Sequence, residues 1–274
     1  MFQTNHRRQG SIGATLTIFE LIYHSVVRSV RKSHNNAFWA IGTNLLQAVI
    51  FVMAFYVMFT VLGLRAAALR GDFLLYIMSG IFLFMTHTKV ISAVLGAEGP
   101  TSPMMQHAPL NTIITIAAAA LSSLYIQVLS MMIILFFYYV VFTPFTIEQP
   151  FHAFGMLLIA WFTGAALAVV LLAIKPWFPQ FVSIFSTIYQ RANMIASGKM
   201  FVANSLPGFM LAMFDWNPLF HAIDQARGFI FINYNPRYSS WEYAIWVGII
   251  LLMLGLMGEF YTRRHASVSW GARR

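Results

Sequence analysis

Two stretches without a single Asp, Glu, Lys or Arg decide what this chain can become. One runs for 32 positions from Ser33 to Leu64, the other for 49 positions from Gly99 to Ile147. A soluble domain needs charge spread over its surface, and an average soluble sequence is roughly 25% charged. This chain of 274 residues is 9% charged and 59% hydrophobic. Those numbers exclude a soluble globular enzyme, a disordered chain and a collagen-like or disulfide-rich secreted fold. What remains is an all-α polytopic membrane protein.

A bilayer core takes about 20 apolar residues per helical span. The chain therefore holds five to seven spans and little else. With no cysteine, disulfides and thiol chemistry are excluded. The net charge of +9 reads as cytoplasmic anchoring rather than nucleic-acid binding, provided the basic residues cluster at span ends. Around Asn5, Arg7 and Arg8 there is no apolar stretch of the signal-peptide kind.

Residues 17–32 read as an amphipathic interface helix. Ile18, Phe19, Ile22, Val26 and Val30 share one face, and Glu20, His24, Arg28 and Arg31 lie on the other. Six spans are expected at about 38–64, 73–95, 110–142, 151–174, 180–202 and 241–261, with Asn36 placed to cap the first. Polar residues Thr86, His87, Thr88, Lys89 and Ser92 gather in the second half of the second span. The loop from Gly96 to Pro109 is rich in breakers, and Lys175 to Pro179 is a tight basic-aromatic turn. Between the last two spans, residues 206–232 form two stretches too short to cross, separated by Asp215-Trp216-Asn217-Pro218. They read as short re-entrant helices.

Six spans place both termini on one side. That side collects Arg7, Arg8, Arg28, Arg31, Lys32, Lys175, Arg263, Arg264, Arg273 and Arg274, against Arg65, Arg70, Arg227 and Arg237 on the other. The positive-inside rule then makes both termini cytoplasmic.

No catalytic constellation emerges. Gly198-Lys199 is followed by Met200 and lacks the upstream glycine of a phosphate-binding loop. The histidines are scattered without metal-ligand spacing, so neither a metal nor a cofactor is expected. None of the eight acidic residues sits mid-span, where a proton relay would need one. Two cations fall inside the fifth expected span, Arg191 and Lys199, about 12 Å apart along a helix. Charges at that depth face protein or water. They read either as structural charges or as the lining of a path for an anionic substrate. Asp224 and Arg227, spaced i, i+3, read either as an exposed pair or as a pin for the outer gate.

The layout and several local strings resemble the permease subunit of bacterial polysaccharide-export ABC transporters of the capsule and O-antigen type. The strings are Arg191, Ser197-Gly198 with Phe201, Leu206-Pro207, and Trp216-Asn217-Pro218-Leu219-Phe220-His221-Ala222-Ile223-Asp224 with Arg227. Two positions depart from that pattern: Gly42-Thr43-Asn44 follows Trp39, and Asn111 follows Pro109-Leu110. The resemblance implies a bacterial inner-membrane homodimer with two separate cytoplasmic ATPase subunits, exporting a lipid-linked polysaccharide. It implies ATPase contacts at Glu20, Arg28 and Glu98. It also implies a path along Trp177, Tyr189, Arg191 and Lys199, and an outer gate built from Trp216, Asn217, Pro218, Asp224 and Arg227. An exporter of a drug or another lipid, and a structural or assembly protein without transport activity, are the alternatives.

Overall fold

A computed structural model of the chain describes residues 20–28, 37–63, 71–97 and 112–265. Residues 20–28 are helical. After them come α1 (Ala37–Val61), α2 (Phe73–Leu95), α3 (Thr112–Val141), α4 (Pro150–Ile174), α5 (Pro179–Ala196), α6 (Gly208–Phe214), α7 (Pro218–Ile230) and α8 (Trp241–His265). No strand occurs among the described residues. Five helices, α1 to α4 and α8, are long and apolar enough to cross a membrane. The protein is a multi-pass, all-α membrane protein.

The centre of the bundle is α2, buried almost continuously from Leu75 to Val94. Its start is set by Asp72, whose Oδ1 accepts from the amides of Leu74 and Leu75. The other oxygen of Asp72 accepts from the Tyr138 hydroxyl of α3, so one carboxylate caps one helix and ties down another. On one flank α1 runs antiparallel to α2. The partners are Gln47 with Lys89, Phe51 with Phe84 and Phe59 with Phe73. A buried polar triad joins α1 to α3: Gln127 donates to Asn44, which donates to Ser130. Such bonds inside a membrane contribute about 0.6 kcal/mol each on average.

On the other flank α4 packs close because Gly164 faces α2. A Cβ there would fall 2.7 Å from the His87 carbonyl oxygen and from a Val90 methyl. Gly164→Ala is therefore expected to destabilise the protein by about 1–3 kcal/mol, read as a lower melting temperature in detergent. Gly155→Ala, where an added Cβ meets nothing within 4 Å, is the matched control. Equal melting of the two variants would contradict the close packing.

The last helix, α8, lies along α4 in the same direction. Gly248 faces Phe162, Gly255 faces the backbone of Val170, and Gly258 faces Ala173. Two parallel neighbours require residues 175–240 to return the whole height of the bundle, and α5 makes that return. With the turn after it, α5 runs down α2 in reverse, from Tyr189 on His87 and Gln190 beside Ser92 to Lys199, past the helix end, against Gly80. Its 18 residues span about 27 Å. It is more polar than the five apolar helices and buries only Val182, Ser186 and Asn193.

Most expected boundaries hold within a few residues. The fifth is corrected: the helix ends at Ala196 rather than at residue 202. Gly198 takes a φ of +73°, the left-handed conformation that ends helices and that only glycine adopts without strain. Lys199 thus lies beyond the helix, in the turn after it. The expected re-entrant stretch becomes α6 and α7. The end of α7 sits at the Phe73 end of α2 and the Pro150 end of α4, where the amides of Glu148 and Gln149 donate to the carbonyls of Ile230 and Phe229. Asn36 and most of the loop Gly96 to Pro109 lie outside the described residues.

Candidate functional site

The joint between α5 and α7 is built on Asn217. Its Oδ1 accepts from the Leu219 amide and caps α7, and Pro218 follows at the first helical position, where no N–H is needed. Its Nδ2 donates to Asn193 Oδ1 at 2.8 Å and to the Ala196 carbonyl at 3.0 Å. The Asn-Pro string therefore fixes the start of α7 to the end of α5. Trp216 is exposed; its indole donates to the Met213 carbonyl, and its own carbonyl accepts from Tyr243. His221 accepts at Nδ1 from the Ser240 amide and donates from Nε2 to the Asp215 carbonyl, which fixes its tautomer.

Asp224 and Arg227 do not pair. Both are buried, at 2% and 0% exposure, and each serves the loop after α5 separately. Arg227 donates to the carbonyls of Gly198 at 2.8 Å, Lys199 at 2.6 Å and Phe201, and its guanidinium lies 4.2 Å from the Tyr76 ring centroid. Asp224 accepts from the Ala203 amide and from the hydroxyls of Tyr234 and Ser239. The i, i+3 spacing misleads here because backbone groups outside α7 take both side chains. The exposed-pair reading fails on burial alone.

Of the four residues expected along a path, one, Arg191, lines a groove. Arg191 is exposed on α5 and has no hydrogen-bond or ion-pair partner among the described residues. Its neighbour Tyr189 donates to His87 Nε2 at 3.0 Å, and His87 Nδ1 donates to the Ala160 carbonyl at 2.9 Å. That chain links α5, α2 and α4. Lys199 is 3% exposed, and its Nζ finds no hydrogen-bond acceptor among the described residues. It lies instead 3.6 Å from the Phe84 ring centroid and 4.8 Å from that of Phe55. Trp177 is elsewhere, donating to Thr262 and stacking on Tyr261 at the α4–α8 junction.

The groove itself, of about 270 Å³, runs between α1, α2 and α5 and is lined by Gln47, Phe51, Phe84, Lys89, Ser92, Gln190, Arg191 and Met194 among others. No acidic residue lines it among the described residues. Gln47 carries no signal of its own in the sequence, and Lys89 stands there only as one member of a polar cluster. The gathering of Thr86 to Ser92 was the available signal, since so many polar groups on a central helix need partners or a polar surface. Glu259 was missed in another way. Placed by sequence at a span end, it lies buried inside the longer α8, with Oε1 unpartnered among the described residues. Glu20 and Arg28 are exposed on the helical segment 20–28, where His24 approaches Glu20 at 3.8 Å. Glu98 lies outside the described residues.

No protein-family model matches the chain, and no curated protein matches it.

Proposed function

We propose that this chain is the membrane-spanning subunit of an ATP-driven exporter for a lipid-linked polysaccharide. It works as a homodimer on two cytoplasmic ATPase subunits in a bacterial inner membrane, with both termini cytoplasmic. The observation that carries this reading is the return of the chain through α5 between the parallel α4 and α8, capped at one end by the folded-back α6–α7 pair. That arrangement supports a sixth crossing made by α5, whose polar content suits a helix bordering a hydrophilic path rather than lipid. Non-helical backbone between α5 and α8 is tolerable at membrane depth only when buried in protein or lining water. Here Arg227, Asp224 and Asn217 satisfy it from within. ATP hydrolysis belongs to the partner, and the permease contributes a shaped passage whose exposed cation is Arg191.

Two measurements test the reading. Reporter fusions after Trp270 and within Lys175 to Pro179 are expected to read cytoplasmic, and one near Asn235 external. A cytoplasmic signal at Asn235 would end the six-crossing topology. Affinity purification from the native host is expected to bring down an ATPase in equal amount with the chain. Its absence, with the permease intact and folded, would favour the structural or assembly role.

A further inference from the structure

We propose that the groove between α1, α2 and α5 is a binding site for a phosphate or diphosphate group carried on a lipid. The argument starts from unmet donors. Arg191 offers its whole guanidinium, with no hydrogen-bond or ion-pair partner among the described residues. Across the groove Lys89 spends one proton on Gln47, and the rest of the ammonium has no acceptor among the described residues. The carboxamide N–H groups of Gln47 and Gln190 point to the same purpose, because only their oxygens are engaged, by Lys89 and Ser92. Cations at this depth cost several kcal/mol unless an anion or water meets them. No carboxylate lines the groove among the described residues.

A third basic side chain stands behind the wall: Lys199 Nζ is 3.6 Å from the centroid of Phe84, which lines the groove. Arg191 is suited to a phosphate in particular, since its planar fork matches two phosphoryl oxygens at once.

The walls identify the carrier. At about 270 Å³ the groove lies just under the usual range for small-molecule pockets and accommodates a head group rather than a sugar chain. One side is apolar, formed by Phe51, Phe84 and Met194, and suits the first methylenes of a hydrocarbon tail. Beyond it, α1 exposes Leu46, Ile50 and Met53, a surface against which such a tail lies along the bundle. Lys89 is about 9 Å from the end of α2, a depth that an inserted head group reaches from the nearer membrane surface. A soluble phosphate has no use for these apolar surfaces.

The full chain, purified in nanodiscs of phosphatidylcholine with a minor share of phosphatidic acid, is examined by native mass spectrometry for retained lipid. Preferential retention of phosphatidic acid is expected. The double variant Lys89→Gln, Arg191→Gln is expected to lose that preference about thirtyfold, each basic side chain near an anionic lipid accounting for roughly a fivefold change. Lys89→Arg with Arg191→Lys keeps both charges and is expected to retain most of it. Arg237→Gln removes an equal charge from an exposed loop and is expected to change nothing. Equal retention of phosphatidylcholine and phosphatidic acid, or an unchanged preference in the Gln double variant, overturns the proposal. Inorganic pyrophosphate binding as tightly as the lipid would assign the site to a soluble phosphate and overturn the lipid carrier. As the holding point of an exported lipid, the site rests on the transport reading. The binding measurement needs neither ATP nor an ATPase, so either can fail without the other.

Discussion

Arg227→Ala is expected to remove most of the protein from the membrane. The side chain satisfies three carbonyls, those of Gly198, Lys199 and Phe201, and lies over Tyr76. These are the carbonyls of a turn that has no helical partners of its own. Orphaning a buried polar group costs about 1–3 kcal/mol, and removing one member of a buried charged network costs about 3–5 kcal/mol. A domain with a total stability of roughly 5–15 kcal/mol loses much of its margin at that figure. Arg227→Lys is expected to rescue little, because an ammonium on a single stem cannot reach carbonyls on both sides of the turn. Membrane abundance and melting in detergent read both variants. Wild-type values for Arg227→Ala would make the carbonyl cluster dispensable and return Arg227 to a purely functional role.

Asp224→Ala is the second large loss. Three donors converge on this carboxylate, the Ala203 amide and the hydroxyls of Tyr234 and Ser239. Hydrogen bonds to a charged acceptor contribute about 1.5–3 kcal/mol each, so a fall of 3 kcal/mol or more is expected. Asp224→Asn keeps the volume and one acceptor oxygen but turns an amide toward the remaining donors, and it is expected to fall between the two. Both residues hold one loop, Arg227 through Phe201 and Asp224 through Ala203. Their combined replacement is therefore expected to cost less than the sum of the single losses. Strict additivity, measured by melting in the same detergent, would show that the two anchors act on separate elements.

Both expectations differ from what spacing alone implies for the same residues. Asp and Arg three apart on a helix meet when nothing else competes for them. In α7 the competitor is the backbone of the loop after α5, about 25 residues away in sequence. No pattern in a single sequence reports where a distant carbonyl will lie. Apolar runs behave differently, because burial in lipid acts on each residue independently and leaves a record in composition. The span at 73–95 accordingly matches α2 end for end. Lys199 marks the boundary between these regimes. Its place among apolar residues implied a position within the helix, whereas the helix ends at Ala196 and Gly198 turns the chain away from it. Glycine is ambiguous in a membrane helix, serving close packing at Gly164 and chain reversal at Gly198, and only the three-dimensional neighbours tell the two apart. The cations of the groove were half legible: Arg191 stood out by its depth, while Lys89 was hidden in a polar cluster whose partners on α1 and α5 are non-local.

The sparse burial of α5 has a mechanical consequence. Its firm attachments are two neighbouring turns, Tyr189 on His87 and Asn193 on Asn217, while the stretch before them inserts only Val182 and Ser186 into the bundle. A rod clamped near one end pivots there. Tilting α5 about that clamp breaks few contacts, whereas moving α2 would require unpacking the interior on every side. The α5 residues that line the groove, Gln190, Arg191 and Met194, lie at this clamp, so the groove keeps its shape while the Pro179 end of α5 moves. Small rotations at the clamp become larger displacements toward Pro179. The same clamp passes the motion through Asn217 into the start of α7, so the two ends of the bundle share a single lever.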